Sequence, residues 1–380
     1  MKIRAGYLRK NLSGEQEYFS FVPSALPPVP KINSSGMLEL LTKANSNLAV
    51  LNDRITSMPN ADIFIPMFIR KESLLSSQIE GIQATLEDVL NPMQDSIMNC
   101  DVSDAVNHIK ASEYSIDRLN TLPLCNRLIR ETHAVLLSGE RGYDKSPGEF
   151  RYTQNWIGAP GSTLKTARYV PPCPEDMYAA MFELEKFIND NDDMDPLVKA
   201  ALMHYQFETI HPFLDGNGRV GRLMITLYFL ENKVLKAPVL YISYFLKKNR
   251  IEYYDRMSEV RRTGDYEQWV RFFLEAIIES SEDAIDTIGK LVSLHEANID
   301  RLMNSGRSSA DNLKLFGYLE RNPIIEIGKT AEELGLSFAT ASNTVKRLEA
   351  MEILVRSNES KRNRVYSYEP YLEILRSGTL

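Results

Sequence analysis

Residues 210–222 read IHPFLDGNGRVGR, and no single secondary-structure element can hold them. Three glycines, Gly216, Gly218 and Gly221, oppose a continuous helix. Yet apolar residues at helical spacing lead up to Ile210 from DPLVKAAL, and LMITLYFL follows the stretch at once. The stretch is therefore a loop that ends one helix and opens the next near Gly218. Free backbone N–H groups and the positive helix end make such a place an anion site. Gly216 and Gly218 let the backbone approach a ligand and take positive φ. Asn217 is expected to cap the helix. Arg219 and Arg222 add positive charge to the first turn, against the usual dipole preference, so something anionic is expected there. Two guanidiniums point to more than one phosphate group.

A phosphate cradle needs neither His211 nor Asp215. A histidine at its edge can act as general base toward an incoming hydroxyl. An aspartate beside phosphates can hold Mg²⁺, a hard cation that bridges carboxylate and phosphate oxygens. Base, metal ligand and anion hole in one loop spell phosphoryl- or nucleotidyl-transfer chemistry.

The rest of the chain sets the frame. At 380 residues it exceeds one ordinary core, so two or three domains are expected. FVPSALPPVPKI holds four prolines and reads as an extended arm. Helical patterns follow from SSGMLELL onward, with Pro66 suited to a first turn, Gly81 to a C-cap, and a Thr-x-x-Asp cap signal in TLEDVLN. Asp195 caps and Pro196 opens the helix that leads to the loop. Between 141 and 174, Gly and Pro break the pattern; RYTQNWIG and TARYVPP are expected as two short strands around APGSTLK. From about 311, helix, helix-turn-helix and two strands in order follow the winged-helix plan. A net charge of −7 argues against a protein that coats nucleic acid, and three scattered cysteines suit a reducing compartment. With no apolar leader or bilayer-length run in view, the expectation is a cytoplasmic protein with no membrane partner.

HPFLDGNGRVGR resembles the signature of the Fic family, His-Pro-Phe-x-Asp/Glu-Gly-Asn-Gly/Lys-Arg-x-x-Arg, at every fixed position. PGEFR at 147–151, NWIG at 155–158, YVPP at 169–172, HYQFETIHPF at 204–213 and the stretch 249–274 are similar to the family as well. The resemblance covers roughly residues 1–290. It implies an all-α Fic fold with a short β-hairpin flap and transfer of AMP from ATP to hydroxyl side chains of proteins, the chain itself included. By position, His211 would deprotonate the hydroxyl and Asp215 would hold Mg²⁺. Gly216, Asn217 and Gly218 would bind the α- and β-phosphates. Arg219 would support the phosphates and Arg222 would hold the γ-phosphate. Val220 and Gly221 complete the nucleotide-binding stretch, and Asn249 would lie near the adenine. Phe213 would plug the core. The target protein would dock along the 155–168 flap by strand addition.

Upstream, SSQIEG places Ser76 and Glu80 four apart on one helical face. This resembles the family's inhibitory motif, Ser/Thr-x-x-x-Glu-Gly/Asn. The resemblance implies that Glu80 pairs with Arg222 and displaces the γ-phosphate, as in the self-inhibited subclass with an N-terminal inhibitory helix.

Blander readings stand beside these. His204, His211 and Asp215 could form a metal triad, but His204 is the better fit to a packed core histidine. Tyr253, Tyr254, Trp269, Phe272 and Phe273 are spaced as core. Lys247, Lys248 and Arg250 read as a solvated helix start rather than a basic patch. In the C-terminal module, Lys346, Arg347, Arg356, Lys361, Arg362 and Arg364 could meet DNA phosphates. Acidic and basic residues balance over 311–380, however, which favours protein binding or dimerisation there. A homodimer is among the partners considered.

The expected architecture is mainly α. It comprises an arm and helices with the inhibitory motif (1–100), a catalytic core (101–290), a linker helix (291–310) and a small α+β winged helix (311–380). The alternatives are a nucleotide-sensing transcription regulator, a different nucleotide donor, or removal of AMP instead of its addition.

Overall fold

The computed structural model describes residues 3–58, 61–91, 99–304, 309–358 and 363–379. Ahead of the proline-rich arm lies a hairpin that the sequence pattern does not announce. Strands β1 (Gly6–Asn11) and β2 (Tyr18–Pro23) pair antiparallel, from Gly6 opposite Pro23 to Asn11 opposite Tyr18. A lack of alternation hides this hairpin: Tyr7, Leu8 and Phe19 are all exposed, and the buried residues on it are Gly6, Ser20, Phe21 and Pro23. The proline-rich arm follows it.

Helices α1 (Leu38–Ser57), α2 (Ile65–Ile79), α3 (Leu86–Leu90), α4 (Cys100–Arg118) and α5 (Asn126–Leu136) come next. Thr85 and Asp88 form the capping box that opens α3. Glu80 closes α2, and Gly81 beyond it takes a φ of +90° that suits glycine. After α6 (Pro174–Asn189), α7 (Pro196–Ile210) and α8 (Asn217–Glu231) form the central pair. Asp195 caps α7 by accepting from the Leu197 N–H. Every residue of α7 from Leu197 to Ile210 is buried, so this helix is surrounded on all sides. α2, α4 and α5 pack against α8, which brings the end of α2 to the start of α8. Then come α9 (Ser243–Lys248), α10 (Arg250–Thr263) and α11 (Tyr266–Met303). α11 runs unbroken across 290, so no break in structure marks the expected core–linker boundary.

The 141–174 region carries no strands. A single bridged pair remains, with Ile157 N–H donating to Tyr169 O at 2.8 Å and Tyr169 N–H to Ile157 O at 3.0 Å. Turns stitched by Ser162 N–H to Ala159 O and Ala167 N–H to Thr163 O use up the backbone between them. Gly158, Pro160 and Gly161 prevent a longer ladder. Phe21 N–H of β2 donates to Val170 O, which fastens the hairpin to the base of this flap.

The last module holds α12 (Ser309–Leu319), β3 (Ile324–Glu326), α13 (Ile327–Glu333), α14 (Phe338–Ala350), β4 (Val355–Arg356), β5 (Val365–Ser367) and α15 (Glu369–Leu375). Its three strands form an antiparallel sheet in the order β3-β5-β4. Lys361 and Arg362 lie outside the described residues. Among the described residues, no helix is long and apolar enough to cross a membrane.

Candidate active site

The loop between α7 and α8 is shaped by side chains from elsewhere in the chain. His211 ends α7 in the left-handed region, at φ 52° and ψ 60°. Its carbonyl accepts from Arg151 Nε at 3.0 Å and from Asn155 Nδ2 at 3.3 Å. Arg151 also donates its N–H to Pro212 O and its Nη2 to Pro172 O. Asn155 Nδ2 donates to Phe213 O at 2.9 Å. The phenyl of Phe213 is fully buried and stacks on His133, with ring centres 3.7 Å apart. Phe213 is thus the plug expected from sequence.

Asn217 does not cap α8. Gly216 holds the N-cap position at φ +75°, and Asn217 is the first helical residue. Its amide reaches back instead, accepting from Phe213 N–H and donating to Phe213 O, both at 2.9 Å. Gly218 lies inside the helix and needs no positive φ. Its lack of a side chain has another cause. A Cβ there would stand 2.1 Å from Glu80 Oε1.

That carboxylate lies over the first turn of α8 and on Arg222. Arg222 Nη2 donates to Glu80 Oε1 at 2.6 Å and to Ser76 O at 2.9 Å, and its Nε donates to Ser76 Oγ at 2.8 Å. The guanidinium is completely buried, so its charge depends on these acceptors. Arg219 is buried too, and its Nε and Nη1 have no hydrogen-bond partner among the described residues. Its Nη2 lies 3.7 Å from Asp215 Oδ1. Two guanidiniums, a helix N-terminus and two carboxylates, Glu80 and Asp215, therefore share the site, and donor capacity is left over on Arg219.

Asp215 sits at the mouth, its side chain 51% exposed, and Oδ1 accepts from Gly216 N–H at 2.6 Å. The imidazole of His211 is pushed down to about 4, first by burial and then by the nearby Arg151 charge. It is therefore neutral at physiological pH, with a buried Nδ1 that has no hydrogen-bond partner among the described residues.

Sequence reasoning missed His133. Gly148 N–H donates to its Nδ1 at 2.9 Å, so Nε2 carries the proton and donates to Asp215 O at 3.1 Å. Burial drives this imidazole down to about 4 and keeps it neutral. It couples the PGEFR segment to the loop. Its spacing on α5 is ordinary core spacing, so nothing in the pattern singles it out.

His204 is the core histidine expected from sequence. It donates from Nδ1 to Gly221 O at 2.9 Å, which leaves Nε2 to accept from Tyr253 OH at 2.8 Å. Among the described residues, no group of three or more His, Cys, Asp and Glu is placed to hold a metal ion. Val220 and Gly221 face away from the mouth. Val220 is buried in the core, and a Cβ on Gly221 would meet Glu208 Oε1 at 2.4 Å. Asn249, between α9 and α10, lines an open cleft of about 710 Å³ with Lys247, Arg250 and Arg256. Its own amide is engaged with Phe245 O. Lys247 and Lys248 are not a free basic patch: they bond to Gln78 and Glu279.

The sequence profile described as Fic/DOC family matches residues 123–229, and that described as Fic/DOC family N-terminal matches residues 38–117. The chain is 29% identical over 163 residues to Protein adenylyltransferase fic-1 of Caenorhabditis elegans, covering 42% of this chain and 28% of that protein. It is 33% identical over 141 residues to Protein adenylyltransferase Fic of Drosophila grimshawi, covering 37% of this chain and 25% of that one. The chain thus spans about a quarter of the length of the curated relatives it matches. In fold it is similar to a Fic family protein from Desulfovibrio desulfuricans G20, with a TM-score of 0.58 at 20% identity, over 89% of this chain and 97% of that one. A signature loop built as described and two adjoining matched segments lead to one assignment: residues 38–117 and 123–229 form a Fic/DOC family region.

Proposed function

We propose that this chain transfers AMP from ATP to hydroxyl side chains of proteins, its own included, and that Glu80 restrains the transfer. The observation that carries this reading is the seat of the Glu80 carboxylate. An anion already rests on Arg222 and against Gly218, where a phosphate would be gripped by the same guanidinium and the same helix end. Arg219, buried with donors to spare, supplies further charge for a polyphosphate. In the transfer, the target hydroxyl oxygen bonds to the α-phosphorus as the bond to the β-phosphate oxygen breaks. The hydroxyl proton goes to neutral His211, and pyrophosphate leaves. Arg151 and Asn155 keep His211 in place by holding its carbonyl.

Asp215 fits a role toward Mg²⁺. It is a half-exposed carboxylate beside the cradle, and a single carboxylate plus phosphate oxygens is a usual Mg²⁺ set. The ion would offset the charge of the phosphates. A target segment would lie along 155–168, beside the Ile157–Tyr169 bridge, by strand addition.

The test is incubation with ATP labelled on the α-phosphate, using wild type, Glu80→Gly and His211→Ala. Label on protein that rises with the first variant and vanishes with the second supports the reading. No label with Glu80→Gly would falsify it.

A further inference from the structure

Gln78 sits inside SSQIEG, two residues before Glu80, and its side chain is fully engaged. Nε2 donates to Ala84 O at 2.8 Å and to Thr379 O at 2.9 Å, while Oε1 accepts from Lys247 Nζ at 2.8 Å. Lys247 Nζ also donates to Gly378 O at 3.0 Å. Residues 378–379, far along the chain, are thereby bonded to the segment that carries Glu80.

These contacts belong to a packed interface. Leu372 and Leu375 of α15 are fully buried, and Thr379 is nearly so. Gly378, at φ +78°, lies so close to the Tyr244 ring that a Cβ would stand 2.4 Å from Cδ2. Arg376 bonds to Glu87, just past the inhibitory turn, and to Glu369 at the start of α15. Arg70 of α2 donates to Arg321 O of the same module.

By contrast, the backbone bonds within the turn that presents Glu80 are short-range, and the first tie to another helix comes just past it, from Gln83 N–H to Asp101 Oδ2 at 2.8 Å. Glu80 N–H and Ile82 N–H both reach Ser77 O, and Gly81 N–H reaches Gln78 O. Helix ends of this kind fray when nothing outside holds them.

We propose that residues 376–379 clasp the inhibitory turn, with Gln78 as the positioning residue through which they keep Glu80 on Arg222. The proposal rests on the reading of Glu80 as the restraint. Displacing this segment from Tyr244 loosens the turn without touching the 211–222 loop. The C-terminal module then has a direct line to the active site.

Two variants test this in the full chain: Gly378→Val, which drives a side chain into Tyr244, and Arg376→Glu, which repels Glu87 and Glu369. Each is made in wild type and in Glu80→Gly. Hydrogen exchange of residues 77–84 is read by mass spectrometry, and transfer by labelled ATP. The expected result is several-fold faster exchange in both variants. Transfer should rise several-fold in the wild-type background and gain nothing in Glu80→Gly. Unchanged exchange overturns the clasp. So does a transfer gain that persists in Glu80→Gly, or wild-type transfer in both variants while Glu80→Gly alone is raised. If no protein transfers label at all, the adenylylation reading fails by itself, and the exchange rates still decide the clasp.

Discussion

Glu80 and Arg222, 142 residues apart in sequence, meet at 2.6 Å between Oε1 and Nη2, with Ser76 taking two further donors of the same guanidinium. Three of the N–H groups of one planar fork are thus taken by acceptors from a single helical turn. A γ-phosphate cannot have the same donors while they are held. Misplacement of a substrate by about 1 Å can cost ~10²-fold in rate. Glu80→Gly is therefore expected to raise transfer by roughly that order, including onto the chain itself. Arg222→Ala in the same background should abolish the gain, because the two residues act on each other. A transfer assay on wild type, both single variants and the double variant checks this.

His211→Ala should lower transfer by ~10²–10⁴-fold, the usual worth of a general base, and leave ATP binding by calorimetry nearly unchanged. The pH profile carries a second expectation. His211 is held near 4 by burial and Arg151, below the ordinary imidazole range. Protonation removes the base, so kcat/KM should fall only as pH drops well below the ordinary histidine value of about 6.5. An acid limb centred at the ordinary value would contradict this environment.

The lesson from sequence is uneven for physical reasons. The 211–216 loop, Arg219, Arg222 and the Ser76–Glu80 face are legible because glycines, charges and helical spacing leave a local imprint. Asn217 is read as a cap because residues of its type favour that position; the structure uses it to brace Phe213 instead. His133, Arg151 and Asn155 act over long range on loop carbonyls, and no local pattern encodes a partner that distant. The β1–β2 hairpin escapes because Tyr7, Leu8 and Phe19 stay exposed while Phe21 is buried, so no alternation appears.

Buried ionisable groups set how stability responds to acid. His108, His133, His204 and His211 are all lowered, chiefly by burial, the last three to about 4, 3 and 4. Glu72 and Glu208 are raised to about 7, again chiefly by burial. Between about pH 5 and 6 the unfolded chain protonates the four imidazoles and ionises the two carboxyls. The native state does the reverse. Four protons against two leave the unfolded state ahead by two, so stability falls as pH falls. The slope should be on the order of 2–3 kcal/mol per pH unit. Urea melts at pH 5.0, 5.5 and 6.0 measure it; a flat or inverted dependence would show that these imidazoles are not held neutral.

Gly218 offers a test of the Glu80 seat that does not need catalysis. It is helical, so alanine would ordinarily suit it better than glycine by roughly 0.5–1 kcal/mol. Its obstacle is one contact, Glu80 Oε1 at 2.1 Å from the added Cβ, with Arg222 Nη1 next at 3.0 Å. The Arg222 tip belongs to a long side chain and can yield by a few tenths of an ångström. Glu80 cannot keep both its bond to Arg222 and its place over Gly218. Gly218→Ala should therefore destabilise the wild-type chain and stabilise Glu80→Gly, a change of sign between backgrounds. Thermal melts of the four proteins read it directly. The methyl group would also stand where a phosphate approaches the first turn of α8, so ATP affinity should drop in both backgrounds. If Gly218→Ala shifts the melting temperature equally with and without Glu80, the carboxylate does not rest on the helix end, and restraint by Glu80 loses its structural basis.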